Sequence, residues 1–372
     1  MSLNMDKKLV VAGISQGDIN GIGYEVIIKA LMDPGMADIC TPVVYGSPKV
    51  AAYHRKALNI NNFSFNNVRS AEEANPRKAN LINCLDDNIR VELGKSSPQG
   101  GEAALASLER AVSDIKNGRV DVLVTAPIDK KNIQSDKFRF NGHTEYLMSK
   151  AGVEDVLMFM VSESMKIGVA TGHVPLSAVP GMLNTELILR KLRLMNRSLQ
   201  YDFAVRKPRI AVLGLNPHAG DNSLLGTEEE EIIAPALLQA QKESMLVFGP
   251  FPADGFFGAG LFVKYDAILA MYHDQGLAPF KAISFDTGVN FTAGLPFVRT
   301  SPAHGTAFQI AGKGEASESS FRHALYLACD IFRNREMYNE ISRNPLRHQE
   351  IEIHTDRVDE LPPEILNSEN QL

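Results

Sequence analysis

Three of the nine histidines share one local context. Ile167-Gly168-Val169-Ala170-Thr171 runs into Gly172-His173-Val174-Pro175. Ile210 to Leu215 runs into Asn216-Pro217-His218-Ala219-Gly220, and Ala267 to Tyr272 runs into His273-Asp274-Gln275-Gly276. Each imidazole thus follows an apolar run of strand length and stands beside Gly or Pro. In α/β sheets, ligands bind outside the carboxyl ends of the strands. Three imidazoles converging there would hold a divalent cation and leave one coordination position open. A lone histidine at a strand end is more often a hydrogen-bonded loop residue, so the weight lies on the recurrence.

Other polar positions could complete such a site. Lys281, Asn290 and Arg299 lie in a weakly charged, Gly-rich region from Gly276 to Gly314. A Lys/Arg pair spaced through such loops suits a phosphate or carboxylate; the alternative for either cation is solvent-exposed charge. Asn141-Gly142-His143-Thr144-Glu145 reads either as a binding segment or as a helix start capped by Thr144. Asp129-Lys130-Lys131 follows the run Val122 to Thr125 and the turn Ala126-Pro127. The loop Gly17 to Gly23 matches neither GxGxxG nor GxxxxGK[ST], so the dinucleotide fingerprint is absent. Glu228 to Glu231 reads as acids at the start of a helix capped by Thr227, ahead of a metal-binding role.

The elements that must position these residues are an alternation of strands and helices. Apolar runs at Leu9 to Ile14, Thr41 to Tyr45, Asp121 to Thr125, Lys166 to Thr171, Arg209 to Leu215 and Ala267 to Tyr272 predict buried strands. Helices are expected over Tyr24 to Met32, Glu102 to Asn117 and Thr227 to Lys242. This is an α/β protein with a mostly parallel sheet. Asn59 to Asn67 reads as a loop, and Glu340 to Leu372 as a polar stretch ending in a loosely held tail.

Composition removes several function classes. A length of 372 residues suggests about two domains. With 38 Lys+Arg against 44 Asp+Glu, the net charge of −6 offers no basic face to a nucleic acid. No apolar run approaches the ~18 residues of a membrane span, and no secretory signal is visible. Three scattered cysteines fit neither a disulfide framework nor a zinc CxxC site. The expected location is the cytoplasm.

The motifs together resemble one family. Gly17-Asp18-Ile19-Asn20-Gly21-Ile22-Gly23-Tyr24-Glu25 is similar to the GDPxGIGPE opening of the 4-hydroxythreonine-4-phosphate dehydrogenases. Thr125 to Lys130 resembles their TAPINK, Gly142 to Glu145 their GHTE, and His173 to Leu176 their HVPL. Leu215 to Gly220 resembles LNPHAG, Gly249 to Asp254 GPxxAD, and Tyr272 to Gly276 YHDQG. Gly288-Val289-Asn290, Gly294 to Ser301 and His304 to Ala307 continue the match, which runs in order over about residues 10 to 330. Asn20 and Tyr24 depart from the usual Ala and Pro of the opening motif, and nothing beyond about Arg335 matches. His304 to Gly314 also looks like the HGSAPDIAGKG loop of isopropylmalate dehydrogenases, which holds NAD without a Rossmann fingerprint.

The resemblance implies an NAD-dependent oxidoreductase of pyridoxal phosphate (vitamin B6) synthesis. It would oxidise 4-phosphooxy-L-threonine to 2-amino-3-oxo-4-phosphooxybutanoate, which loses carbon dioxide to give 3-amino-2-oxopropyl phosphate. NADP is an open alternative to NAD. His173, His218 and His273 are the implied metal ligands, for Zn²⁺ first and Co²⁺, Mn²⁺ or Mg²⁺ as alternatives. His143, Thr144, Lys281, Asn290 and Arg299 are the implied substrate contacts, and His304, Gly305, Thr306 and Gly312 the implied NAD loop. Lys281 is the candidate proton acceptor, and Asp254 the candidate carboxylate orienting a metal-bound water or a histidine ligand. The implied assembly is a homodimer with the metal site at the subunit interface. The implied fold is that of isocitrate/isopropylmalate dehydrogenases, two α/β/α domains flanking a central cleft: residues 1–136 with 291–372 on the cofactor side, and 137–290 carrying metal, substrate and dimer contacts. Competing readings are a dehydrogenase of a phosphorylated sugar acid of the threonate 4-phosphate type, a non-redox metallohydrolase, and an inactive dimeric binding protein.

Overall fold

The computed structural model describes residues 9–86 and 88–345. The expected tail over 346–372 lies outside them, whereas Glu340 to Ser342 close the long helix Ser319–Ser342. Twelve strands among the described residues form one sheet. They are β1 (Val10–Ser15), β2 (Cys40–Gly46), β3 (Asn66–Val68), β4 (Asn80–Asn83), β5 (Val122–Thr125), β6 (Leu157–Val161), β7 (Lys166–Val169), β8 (Arg209–Leu213), β9 (Leu246–Phe251), β10 (Ala267–Ala270), β11 (Val289–Ala293) and β12 (Val298–Pro302). Their order is β3-β4-β2-β1-β5-β12-β11-β6-β7-β10-β8-β9.

The sheet consists of two parallel arrays of opposite direction. Strands β3, β4, β2, β1, β5 and β12 run one way, and β7, β10, β8 and β9 the other. They meet through antiparallel pairs at β12–β11, β11–β6 and β6–β7. The segment from Gly276 to Gly314 is not a run of loops: Lys281 lies on the helix His273–Ser284, Asn290 on β11 and Arg299 on β12.

Alternation along the strands separates two faces. On one face a single apolar core runs beneath the whole sheet, from Val10, Ala12 and Ile14 through Phe159 and Phe291 to Ile210, Val212 and Val247. Helices Thr185–Tyr201 and Ser319–Ser342 close it with Leu192, Met195, Phe321 and Leu325. Helix Thr185–Tyr201 starts where Asn184 Oδ1 accepts from Leu187 N at 2.8 Å.

The opposite face carries two separate cores. One packs Leu123, Val43 and Tyr45 against helices Pro98–Lys116 and His143–Ala151. The other packs Met160, Ile167, Val169 and Ala211 against Leu277 and Phe280 of helix His273–Ser284. Among the described residues the helices of neither core cover the centre of the sheet between them. The α/β expectation is thus met by one continuous sheet with a split upper layer.

The N-terminal departures from the resemblance are built into the packing. Asn20 is buried; its Nδ2 donates to Ser97 Oγ at 2.9 Å and its Oδ1 accepts from Glu92 N at 2.7 Å. Tyr24 Oη accepts from Ser47 N at 3.0 Å. Buried polar atoms are tolerable when paired in this way.

Candidate active site

The strand registers decide what floors the gap. Pairing of Arg299 with Leu123, of Ser301 with Asn290 and of Asn290 with Met160 puts Thr125, Arg299, Ser301, Asn290, Thr292, Met158 and Met160 on one face. A cavity of about 290 Å³ lies over them. Its walls are Lys130 and Gly142 to Glu145 on one side, His173, His273, Leu277 and Lys281 on the other, and Ala303 to Gly305 above. His273, Leu277 and Lys281 reach it together because residues four apart share a helix face.

Arg299 is the deepest cation, 2% exposed. Its Nε and Nη2 donate to Thr125 Oγ1 at 3.2 and 2.7 Å, and its Nη1 donates to Thr292 Oγ1 at 3.2 Å. Hydroxyls orient the guanidinium without neutralising it, and Arg299 makes no ion pair among the described residues. Burial pulls its pKa down to about 10, opposed by Glu145. A buried, unneutralised guanidinium favours an arriving anion. The reading of Arg299 as solvent-exposed charge is therefore corrected.

His143 opens the helix His143–Ala151 after Gly142. Thr144 is inside the helix and caps nothing, which corrects the capping alternative. Burial, then Arg299 and Lys130, hold the His143 pKa well below the ordinary imidazole value. His143 Nε2, Asn290 Oδ1 and His304 Nε2 are all buried without a hydrogen-bond partner. Leaving each unsatisfied costs about 1–3 kcal/mol. Three such atoms around one cavity mark a place built for a polar ligand.

Of the expected NAD loop, His304 and Gly305 line the cavity. Thr306 and Gly312 instead seat the loop: Thr306 O accepts from Ile22 N at 3.0 Å, and Gly312 packs against Leu93.

Of the three expected metal ligands, His173 and His273 come together, their ring centroids 5.4 Å apart. His273 Nδ1 lies 2.7 Å from Asp274 Oδ1, which orients the ring and leaves Nε2 available. His218 does not join them. It is exposed and does not line the cavity, and no group of three metal-ligating side chains forms among the described residues. Asp254 is likewise exposed, on the short helix Ala253–Gly258, which packs beside the turn Pro217–Gly220. The segment His218 to Ser223 has six consecutive residues with positive φ. Each non-glycine residue there costs on the order of 1–2 kcal/mol. Such strain persists only where its surroundings impose it.

The family model described as pyridoxal phosphate biosynthetic protein PdxA matches residues 38–328. The chain belongs to the PdxA family. It is 52% identical over 354 residues to a 4-hydroxythreonine-4-phosphate dehydrogenase of Bacteroides thetaiotaomicron, covering 95% of this chain and 97% of that one. A relative from Oceanobacillus iheyensis, 38% identical over 88% of this chain and 99% of its own length, carries a provisional name as a D-threonate 4-phosphate dehydrogenase. Among solved structures, a Klebsiella pneumoniae 4-hydroxythreonine-4-phosphate dehydrogenase superposes with a TM-score of 0.77 at 33% identity, covering 88% of this chain and 99% of that one.

The cavity also contains Met158, Met160 and Ser301, which strand and motif reading did not assign to it, together with Glu145 and Lys130 from the polar segments that reading had singled out. Lys130 was visible as a cation after a strand and a Pro turn. Only the fold shows that it reaches His143 and His173, whose imidazolium forms it disfavours.

Proposed function

We propose that the chain is a 4-hydroxythreonine-4-phosphate dehydrogenase, converting 4-phosphooxy-L-threonine to 2-amino-3-oxo-4-phosphooxybutanoate, which decarboxylates to 3-amino-2-oxopropyl phosphate. The observation that carries this reading is the gathering of Arg299, Lys281 and Lys130 in one cavity with the His173–His273 pair. That set suits a small doubly anionic molecule with a hydroxyl to be oxidised. The family names support it.

Arg299 and Lys130 take the phosphate and carboxylate, leaving Lys281 to meet the carbon-3 hydroxyl as a neutral amine. The uncharged His143 Nε2 and the Asn290 Oδ1 exchange hydrogen bonds with the substrate's amine and hydroxyl, ending their unpartnered state. Thr144 stands beside them. Lys281 Nζ receives the proton leaving the carbon-3 hydroxyl.

The donor set fits a divalent cation: two imidazoles with a common cavity in one chain, and a third histidine exposed for a second copy. We propose that His218 of one copy completes the His173–His273 pair of the other in a homodimer, with Asp254 beside His218. The unpartnered His304 Nε2 and Gly305 face the same cavity, where an NAD nicotinamide would lie. When bound, the cation supplies Lewis-acid chemistry and the nicotinamide the oxidising chemistry. A division into a cofactor-side unit, 1–136 with 291–372, and a metal and dimer unit, 137–290, belongs to the same proposal, with helix His143–Ala151 packing across that boundary onto Leu123, Val43 and Tyr45. Among the described residues no helix is long and apolar enough to cross a membrane, and the cytoplasm is the proposed location.

The Oceanobacillus relative favours one second reading, oxidation of D-threonate 4-phosphate. NADH formation from the two substrates at matched concentrations separates them. The proposal expects faster turnover of 4-phosphooxy-L-threonine; turnover of D-threonate 4-phosphate alone would replace it with the second reading.

A further inference from the structure

Glu229 is 5% exposed, yet it makes no ion pair among the described residues. It opens a single π-helical turn, Glu229–Ile233, and its carboxylate points back to the turn that carries His218. Glu229 Oε1 accepts from the backbone N–H groups of Leu215 and Asn216, both at 2.7 Å, and Oε2 accepts from Asn216 Nδ2 at 3.0 Å. Asn216 Nδ2 also donates to Glu228 Oε2 at 2.7 Å. A cap by the Thr227 side chain, expected from the sequence, is not what organises this turn: the first residue of the helical segment is preceded by Glu228 with no side-chain cap.

A buried carboxylate is costly unless donors meet it, and here three do. All three belong to the two residues that lead into Pro217-His218. The left-handed run His218 to Ser223 then wraps the same carboxylate: a Cβ placed on Gly220 would come within 2.8 Å of Glu229 Oε2. Only glycine leaves room there. The strained backbone is thus anchored at its entry and pressed against Glu229 midway, while the His218 side chain projects from an exposed position.

We infer that Glu229 is a positioning residue for His218: it imposes the left-handed turn that presents this imidazole to a divalent cation. The inference rests on the proposed role of His218 as a metal ligand. Groups that orient a ligand without touching the metal typically govern 10- to 100-fold of its affinity.

The test titrates metal-free, full-length protein with Co²⁺, followed by its visible absorption, and measures amide hydrogen exchange over residues 214–226. Wild-type protein is expected to bind Co²⁺ and His218→Ala to lose that binding. Glu229→Ala is expected to bind about 10- to 100-fold more weakly, with faster exchange over 214–226 and an unchanged oligomeric mass. Glu229→Gln keeps one acceptor oxygen for the Leu215 and Asn216 amides and is expected to recover part of both; it carries the test alone if the alanine variant does not fold. Wild-type Co²⁺ affinity in the Glu229 variants beside lost affinity in His218→Ala overturns the inference alone. Wild-type protein that binds no Co²⁺ contradicts the metal reading and overturns the inference with it.

Discussion

His173 and His273 face each other across 5.4 Å, ring centroid to centroid, with planes tilted by 43°. Their approach follows from the parallel pairing of β7 and β10, which continues past the strand ends: Ala170 N donates to Ala270 O at 2.8 Å, and Thr171 N to Met271 O at 3.2 Å. The pair is therefore set by backbone hydrogen bonds. Burial, then Lys130 and His273, lower the His173 pKa, which favours the neutral ring that the proposed metal coordination requires.

The proposed completion of the site across a two-fold axis predicts a definite recovery of activity on mixing variants. His273→Ala and His218→Ala are each expected to be inactive alone. Mixed and reassembled in equal amounts, they form hybrid dimers in which one of two sites keeps all three histidines. Recovery of about a quarter of wild-type activity is expected, because half of the dimers are hybrids and each has one intact site. Recovery of none would contradict a site shared between two copies.

Arg299→Lys keeps the charge but loses the fork that Thr125 and Thr292 hold. It is expected to lower kcat/KM for the phosphorylated substrate about 10- to 100-fold, the equivalent of the ~1.5–3 kcal/mol of a charged hydrogen bond. Steady-state kinetics with varied substrate read this as a raised KM; an unchanged KM would remove Arg299 from the substrate's contacts.

His54 predicts a pH dependence of stability outside the site. It is fully buried, its Nε2 2.7 Å from Ile19 O and its Nδ1 unpartnered. Burial lowers its pKa from 6.5 to about 4, against the Ile19 carbonyl and Glu25. As pH falls, the unfolded chain takes up this proton first. The contribution is complete above about pH 6.5 and is lost between 6.5 and 4, amounting to about 2 kcal/mol at pH 5. Urea unfolding at pH 7 and pH 5 should show this loss in wild-type protein and a smaller one in His54→Gln. Equal losses in both would show that His54 is not its source.

Much of the sheet was legible as apolar runs: β5, β7, β8 and β10 lie within predicted strands, while β1 overruns its predicted strand by one residue at one end and β2 by one residue at each end. The antiparallel centre was not. In β11 and β12 every second residue faces the cavity and is polar (Asn290 and Thr292, Arg299 and Ser301), which breaks the apolar run. In β6 the sequence is apolar throughout, a pattern shared with buried helices. The recurrence of histidines after strands located two cavity residues from spacing alone. His218 obeys the same local rule but sits on an exposed turn, because the rule fixes a position in sequence and not the direction in which a turn carries the side chain. Glu229 was hidden for a related reason: an acidic run at a helix start is ordinary, and only the backbone path of residues 214–223 gives one of its carboxylates a task.

The proposed reaction in the cavity of Arg299, Lys281 and the paired histidines is an oxidation coupled to decarboxylation. The most direct measurement follows NADH and carbon dioxide together from 4-phosphooxy-L-threonine, in protein stripped by chelator and again after Zn²⁺ or Co²⁺ is restored. Stripped protein is expected to show no turnover and, on restoring the metal, to release NADH and carbon dioxide mole for mole. No NADH from metal-replete protein would contradict the proposed reaction.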